Sequence, residues 1–266
     1  MTKEELLPLA VTVGGKAKAA AVARAREAAA QWRLPFVERL PKVPLGSMVG
    51  AQARAFLVFR GDGVALVDRH GELRFTPGMA RLRVKRLDAG VDEDLLVRLG
   101  ELSQGDAVLD CTLGLGADAL VSARAVGPGG RVVGVEKSLA LYALSAAGFS
   151  TYTFGPRSCR VETRHADAGE VLRQTPRGAF DVVLFDPMFE RPRRSSPAFE
   201  LLRRHADHTP LSSEIITEAQ RVARRWVLVK GSRYSADLKK LGLTPQPAAR
   251  GATVVWARLG PAPNAS

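Results

Sequence analysis

The sequence has little cysteine and histidine, which argues against several common kinds of site. Its two cysteines, Cys111 and Cys159, cannot form a disulfide framework, and neither lies in a Cys-x-x-Cys spacing. Both are expected to be small buried side chains. The four histidines are scattered, and only His205 and His208 lie close together, without a third ligand nearby. We therefore expect no metal site.

Long apolar runs are also missing. No run approaches the roughly 20 residues that cross a bilayer. The start "MTKEELLPLA" carries acids where a signal peptide carries a basic flank and an apolar stretch. We therefore expect a cytoplasmic protein without a membrane partner.

Acidic residues are too few to balance the basic ones. Lys and Arg number 39 against 27 Asp and Glu, which gives a net charge of +12. Such an excess attracts polyanions, of which nucleic acids are the commonest in a cytoplasm. Charge alone leaves two interpretations open: a nucleic-acid-binding protein, or a protein that its arginines keep soluble.

The first third of the chain has an irregular pattern of strands and one helix. The segments "LAVTVGG" and "LPFVERL" favour extended structure on either side of an alanine-rich helix, "KAKAAAVARAREAAAQW". The segments "RAFLVFR", "GVALVDR" and "GELRFT" alternate around turn signals, as consecutive hairpins do. We predict a small α+β domain over residues 1–85, with substrate recognition as a possible role.

From about residue 86, apolar strands alternate with helices. The strands are "AVLD", "RVVGVE", "RVETRHAD", "FDVVLF" and "RWVLVKGS", followed by a final pair, "GLTPQPAA" and "ATVVWARL". This order predicts an α/β domain over residues 86–266, with a mostly parallel sheet and a final antiparallel hairpin. Ligands of such sheets bind at the carboxyl ends of the strands.

The first two strand ends carry a glycine loop between two acids. Asp110 closes "AVLD", Gly114 and Gly116 follow in "GLGADA", and Glu136 closes the next strand. Glycine allows a backbone to pass close to a ligand, and an acid about 20 residues later can accept hydrogen bonds from ribose hydroxyls. The pattern predicts an adenosine-type cofactor, and we place Asp118, within the same segment, among its binding residues.

Two cofactors fit this glycine pattern. "GLGADA" also satisfies the dinucleotide fingerprint G-x-G-x-x-A. However, the Asp110 carboxylate would oppose a pyrophosphate, whereas it suits the ammonium and sulfonium groups of S-adenosylmethionine. The sequence therefore favours S-adenosylmethionine.

The strand "FDVVLF" ends in "DPMF". Pro187 contributes no N–H, so nearby carbonyls stay available, and together with the Asp186 carboxylate they can accept both hydrogens of an exocyclic amine. Phe189 offers a face on which the attached base can stack. Held in this way, the amine can direct its lone pair at a methyl group, so we predict Asp186, Pro187 and Phe189 as catalytic residues.

Basic residues follow this motif. Arg191, Arg193 and Arg194 can grip phosphates beside a target base, or form a solvated loop. Lys230, at the end of "RWVLVK", can reach the cleft or remain a strand-end charge. We place all four among the predicted substrate-binding residues.

The segments "VLDCTLGLGADAL", "VVGVE", "FDVVLFDPMF" and "VLVKGSRYSADL", in this order, resemble a class I S-adenosylmethionine-dependent methyltransferase with a Rossmann-like sheet. They are most similar to a bacterial family related to the small-subunit rRNA guanine-N2 methyltransferases, which share the Asp-Pro-Met-Phe motif. The resemblance implies that Asp110 and the loop from Thr112 to Gly116 bind the methionine end. It also implies ribose contacts by Glu136 and adenine contacts near Asp167.

The expected function is therefore methyl transfer to an exocyclic base amine of RNA, most specifically guanine N2 in rRNA or in a small-subunit ribosomal particle. Thr112 replaces the first loop glycine of general methyltransferases, as it does in the rRNA enzymes. The segment "LDAGVDE" replaces a glycine-rich basic segment of those enzymes. Two alternatives from other classes remain: a nicotinamide-dependent oxidoreductase and a non-catalytic RNA-binding protein with the same fold.

Overall fold

A computed structural model defines the fold. It describes residues 6–39, 42–61, 63–90, 94–187, 196–233, 237–247 and 252–263. Within these ranges, no helix has both the length and the apolar character needed to cross a membrane.

The secondary structure consists of strands and helices that alternate along most of the chain. The strands are β1 (Ala10–Val13), β2 (Ala55–Arg60), β3 (Gly63–Asp68), β4 (Gly71–Arg74), β5 (Ala107–Asp110), β6 (Arg131–Glu136), β7 (Val161–His165), β8 (Phe180–Phe185), β9 (Ala223–Ser232) and β10 (Val254–Leu259). The helices are α1 (Ala19–Trp32), α2 (Leu45–Met48), α3 (Gly78–Ala89), α4 (Leu95–Gly100), α5 (Ala117–Val126), α6 (Leu139–Thr151), α7 (Ala168–Gln174), α8 (Pro197–His205), α9 (Ser213–Val222) and α10 (Asp237–Lys240).

These elements form two compact units that interleave in sequence. The first unit comprises Met1–Thr76, Leu139–Tyr152 and Arg194–His205, and the second comprises Pro77–Ser138, Thr153–Arg193 and Ala206–Ser266. Helices α6 and α8 therefore belong to the first unit, although they lie in sequence between strands of the second. The division of roles between residues 1–85 and 86–266 stays a prediction.

The first unit contains a four-stranded sheet in the order β1-β2-β3-β4. Strand β1 pairs with β2 in parallel, whereas β2, β3 and β4 form the two antiparallel hairpins that the alternating pattern predicts. Helix α1 is the predicted alanine-rich helix. Helix α6 packs closely here, because a Cβ added to Gly148 would lie 2.1 Å from the ring of Phe75.

The second unit contains a six-stranded sheet in the order β10-β9-β8-β5-β6-β7. Every neighbouring pair is parallel except β9 and β10, which confirms the predicted mostly parallel sheet with a final antiparallel pair. Strand β10 pairs with β9, and within the described part of "GLTPQPAA" Pro245 forms an antiparallel bridge with Ala257. Pro245 and Pro247 lack the N–H groups that a strand ladder needs.

Both faces of this sheet are buried. Side chains of a strand alternate between faces, and Val182 and Val183, neighbours in β8, are both fully buried. On one face, α7 and α9 contribute Leu172 and Ile216 to the core that contains Val183. The chain order reverses between β5 and β8, so the carboxyl ends of these two strands form the crevice where ligands of such sheets bind.

Candidate active site

The carboxyl ends of β5 and β8 bring two predicted site residues together. Asp110 pairs with Leu184 across the two strands, and the Cys111 N–H extends this ladder by donating to the Leu184 carbonyl. The Asp186 N–H then donates to the Thr112 hydroxyl oxygen at 2.6 Å. The Thr112 side chain thus ties the glycine loop to the Asp186-Pro187 segment.

The glycine loop lies against the end of β6. The Leu113 N–H donates to the Val135 carbonyl, and the Gly114 N–H donates to Oε2 of Glu136 at 2.9 Å. Gly116 has a φ of 74° at the start of α5, a backbone conformation that favours glycine. A Cβ at Gly134 would lie 2.4 Å from Leu113, so the loop can settle on β6 only because this strand has glycine there.

Glu136 is buried and organises the backbone around it. Its two carboxylate oxygens accept hydrogen bonds from the Gly114 and Ser138 N–H groups. Burial raises the pKa of Glu136 above its usual value, and these N–H donors oppose the rise. Each carboxylate oxygen has two acceptor positions, so Glu136 can accept further hydrogen bonds from a ligand.

Asp167 lies at the adjacent strand end, where it caps α7. Its carboxylate accepts from the Glu170 N–H and lies 3.2 Å from Lys137 Nζ. Lys137 also lies 3.3 Å from Asp207. The structure therefore places the predicted Glu136 and Asp167 at the same edge of the sheet. Lys137 lies between the carboxylates of Asp167 and Asp207.

Five charged side chains form one cluster beside the β5 and β8 ends: Arg83, Asp94, Asp118, Asp186 and Lys230. Lys230 Nζ lies 2.7 Å from Asp186 and 3.0 Å from Asp118. Arg83 lies 2.5 Å from Asp118 and 2.7 Å from Asp94. We call this set the charge cluster. Burial lowers the pKa of Lys230, but attraction by Asp186 and Asp118 outweighs that effect and raises it, so Lys230 remains charged.

Asp110 lies next to this cluster without a counter-ion of its own. It is 3% exposed and accepts a hydrogen bond from the Thr112 N–H. Among the residues that the structure describes, no lysine or arginine pairs with it. Burial, followed by repulsion from Asp118, raises the pKa of Asp110 to about 8. A nearby cation would stabilise the ionised form of this buried carboxyl group, and the ammonium and sulfonium groups of S-adenosylmethionine are cations of that kind.

Other predicted residues are engaged in different ways. The Asp118 carboxylate already binds Arg83 and Lys230, and these cations outweigh burial and lower its pKa. Lys230 reaches the site, where carboxylates surround it. The remaining predicted residues, Phe189, Arg191, Arg193 and Arg194, lie outside the described residues.

Sequence reasoning missed two members of the charge cluster, Asp94 and Arg83. Arg83 precedes Asp118 by 35 residues and belongs to α3, a helix that the sequence pattern did not predict. The available signal was helical spacing: Ala80, Arg83, Val84 and Leu87 share one side of a helix, and an arginine among apolar residues needs a buried partner.

Comparisons with known proteins address the family of the chain. A family model described as "Putative SAM-dependent methyltransferase" matches residues 65–250. The chain is 34% identical to the uncharacterized protein YpiP of Bacillus subtilis, over 82% of this chain and 86% of that one. It is 32% identical to the ribosomal RNA small subunit methyltransferase J of Laribacter hongkongensis, over 62% of this chain and 60% of the relative.

A solved structure shows the same fold. The SAM-dependent methyltransferase NGO1261 from Neisseria gonorrhoeae superposes with a TM-score of 0.62 at 20% identity, covering 94% of this chain and 95% of that one. The predicted Rossmann-like sheet is thereby confirmed, and the family match over residues 65–250, rather than this likeness of fold, sets aside the oxidoreductase alternative. The family match, which covers more than half of the chain, shows that the protein belongs to the S-adenosylmethionine-dependent methyltransferases and uses that cofactor as its methyl donor.

Proposed function

We propose that this enzyme methylates an exocyclic amine of an RNA base, and specifically guanine N2 of small-subunit rRNA. The observation that carries the proposal is the placement of Asp186 at the switch point of the sheet. Its side chain is 44% exposed, and Lys230 binds Oδ2. Among the described residues, no donor contacts the other carboxylate oxygen, and we assign to it a hydrogen bond from the amine.

The RNA substrate has two further lines of support. The Laribacter hongkongensis relative is named as a small-subunit rRNA methyltransferase. The net charge of +12 favours association with a polyanion. An rRNA substrate also accords with a cytoplasmic location. The proposal assigns phosphate contacts to Arg191, Arg193 and Arg194, on their sequence positions alone.

The cofactor's cationic end belongs, in this proposal, beside Asp110. Bound there, S-adenosylmethionine supplies an electrophilic methyl group on its sulfonium. The buried Asp110 carboxylate gains the counter-ion it lacks, and the loop from Thr112 to Gly116 keeps backbone close to the methionine end. Glu136 accepts hydrogen bonds from the ribose hydroxyls, and Asp167 lies where the adenine is expected.

Asp186 acts on the amine by positioning it. A carboxylate oxygen that accepts one N–H hydrogen favours a pyramidal nitrogen whose lone pair points toward the methyl group. Burial, together with repulsion by Asp118, raises the pKa of Asp186, and Lys230 opposes that rise and fixes the orientation of the carboxylate. Pro187 contributes no competing N–H donor. As the nitrogen–carbon bond forms, the sulfur–carbon bond breaks, and the amine loses one proton to water. Phe189 is assigned to stack on the base.

Label transfer tests this function directly. Small-subunit rRNA from a strain lacking the enzyme, and ribosomal particles from the same strain, are incubated with tritiated S-adenosylmethionine, and the nucleosides are identified by mass spectrometry. Label in N2-methylguanosine is the expected result. Label in another nucleoside would overturn the guanine assignment. No label in RNA, with cofactor binding intact, would overturn the RNA substrate.

Glu136→Ala is expected to weaken S-adenosylmethionine binding by about 1–3 kcal/mol, because charge-assisted hydrogen bonds to the ribose are lost. Calorimetric titration measures this change. Glu162→Ala is a matched control on the next strand, since Glu162 is half-exposed and pairs only with surface arginines, a kind of contact worth little. Equal affinities for the two variants would contradict the ribose assignment.

A further inference from the structure

Helix α3 has two chemically different sides. The inner side contains Ala80, which is 1% exposed, and Arg83, which enters the charge cluster. The outer side exposes Arg81, Lys85 and Arg86, together with Leu82, which is 52% exposed. Positions 81 and 85 are one helical turn apart, so their two cations lie next to each other.

Asp88, the acidic residue near the end of α3, does not neutralise the positive charge of the outer side. Asp88 Oδ1 lies 2.6 Å from Arg124 of α5 and 3.1 Å from Arg157 of the segment before β7. One carboxylate thus attracts two further arginines to the same surface. The Arg157 side chain is 62% exposed, whereas that of Arg124 is 16% exposed and adds charge from beneath. We call Arg81, Lys85, Arg86, Arg124 and Arg157 the α3 basic surface; with Asp88 included, it carries a strong positive excess.

We infer that the α3 basic surface binds the phosphate backbone of the RNA substrate. The inference rests on the proposed function and adds the face along which the RNA runs. Five basic side chains against the Asp88 carboxylate leave a positive excess, which suits a chain of evenly spaced phosphates. Leu82 is too isolated to form the apolar centre of a protein interface.

The position of the surface relative to the active site supports the same conclusion. The inner side of α3 places Arg83 against Asp118, within the charge cluster that holds Asp186. The outer side lies across the width of one helix, about 10–12 Å with side chains. An RNA with a base at Asp186 has backbone on both sides of that base, and phosphate contacts on α3 would fix its register without reading its sequence.

The double variant Arg81→Gln/Lys85→Gln tests the inference. The probe is a fluorescein-labelled RNA hairpin of arbitrary sequence, because backbone contacts do not depend on sequence, and anisotropy gives its affinity over a series of salt concentrations. Each lost phosphate contact lowers the slope of log affinity against log salt by about 0.7 to 0.9. We expect the double variant to lose about 1.4 to 1.8 of slope, with unchanged S-adenosylmethionine affinity by calorimetry.

Lys16→Gln/Lys18→Gln is the matched control, since both lysines are exposed in the first unit and the charge change is identical. Its salt slope should remain that of the parent. An unchanged slope in the α3 variant, or an equal fall in both variants, would overturn the inference while leaving the proposed function standing if rRNA is still methylated. A parent enzyme that fails to bind the hairpin at any salt concentration would overturn the inference, whereas label transfer to rRNA decides the proposed function separately.

Discussion

Asp186→Asn should slow methyl transfer roughly 10²- to 10³-fold in single-turnover experiments, the range seen when one electrostatic contact to a transition state is removed. The substitution keeps the size of the side chain but removes its charge. Positive charge that develops on the attacking nitrogen then loses its stabilising partner, whereas S-adenosylmethionine affinity should change little. Lys230 retains Asp118 as a counter-ion, so the fold should persist. Transfer at the parental rate would contradict the positioning role of Asp186.

Asp181→Asn is the matched control at the opposite end of the same strand. Asp181 is 7% exposed, accepts from the Ala107 N–H and pairs with Arg224 at 2.6 Å. Loss of the Asp181 charge should reduce the free energy of unfolding by about 1–3 kcal/mol, because the charge-assisted hydrogen bonds from the Ala107 N–H and from Arg224 are weakened. The transfer rate of the folded fraction should be unaffected. Thermal melts and single-turnover rates together therefore separate a structural carboxylate from the proposed catalytic one.

Asp110→Asn should weaken S-adenosylmethionine binding roughly 10- to 100-fold, since a charge-assisted contact is worth about 1.5–3 kcal/mol and 1.4 kcal/mol is a factor of ten. The wild-type affinity should also rise with pH up to about 8, because a cationic ligand requires Asp110 to be ionised. The cofactor's own amine titrates in a similar range. In the variant, only titration of the cofactor's amine changes the affinity with pH. The difference between the pH profiles of wild type and variant therefore gives the contribution of Asp110. Identical profiles would contradict the assignment.

The same carboxyl group affects the stability of the cofactor-free protein. Its folded pKa of about 8 lies above the ordinary value of an aspartate. Stability from neutral, buried Asp110 is therefore fully present below pH 4, approximately the unfolded pKa, and is lost as the pH rises through about 8. Over this window the melting temperature of the wild type should fall relative to that of Asp110→Asn. Parallel melting curves at all pH values would contradict the raised pKa.

The strand ends were predictable from the sequence because they depend on local patterns. Asp110, Glu136 and Asp186 each follow a short apolar run, and parallel strands place their carboxyl ends at one edge of the sheet. The family resemblance, rather than this pattern, placed Thr112 in the binding loop, and the hydrogen bond of Thr112 to the Asp186 N–H depends on the distance between β5 and β8. No single-strand pattern contains that distance.

The charge cluster was less predictable because it depends on contacts between distant segments. Lys230 follows Asp118 by 112 residues, and their contact requires β9 to lie beside β8 with one particular register. The sequence left Lys230 as either a cleft residue or a strand-end charge, and the structure gives it two carboxylate partners. Arg83 was harder still, because the basic residues around it hide the narrow apolar side of its helix.

The interleaving of the two units has a consequence for biosynthesis. A ribosome releases the sheet of the first unit early, yet α6 and α8, which complete that unit, emerge only after much of the second unit's sheet has been translated. Until then, the nascent first unit lacks the Phe149 side chain, which contacts Phe75 with ring centroids 5.0 Å apart. The first unit can therefore not be completed before α8 has been translated, and a chain stalled before residue 139 should remain sensitive to proteases or dependent on chaperones.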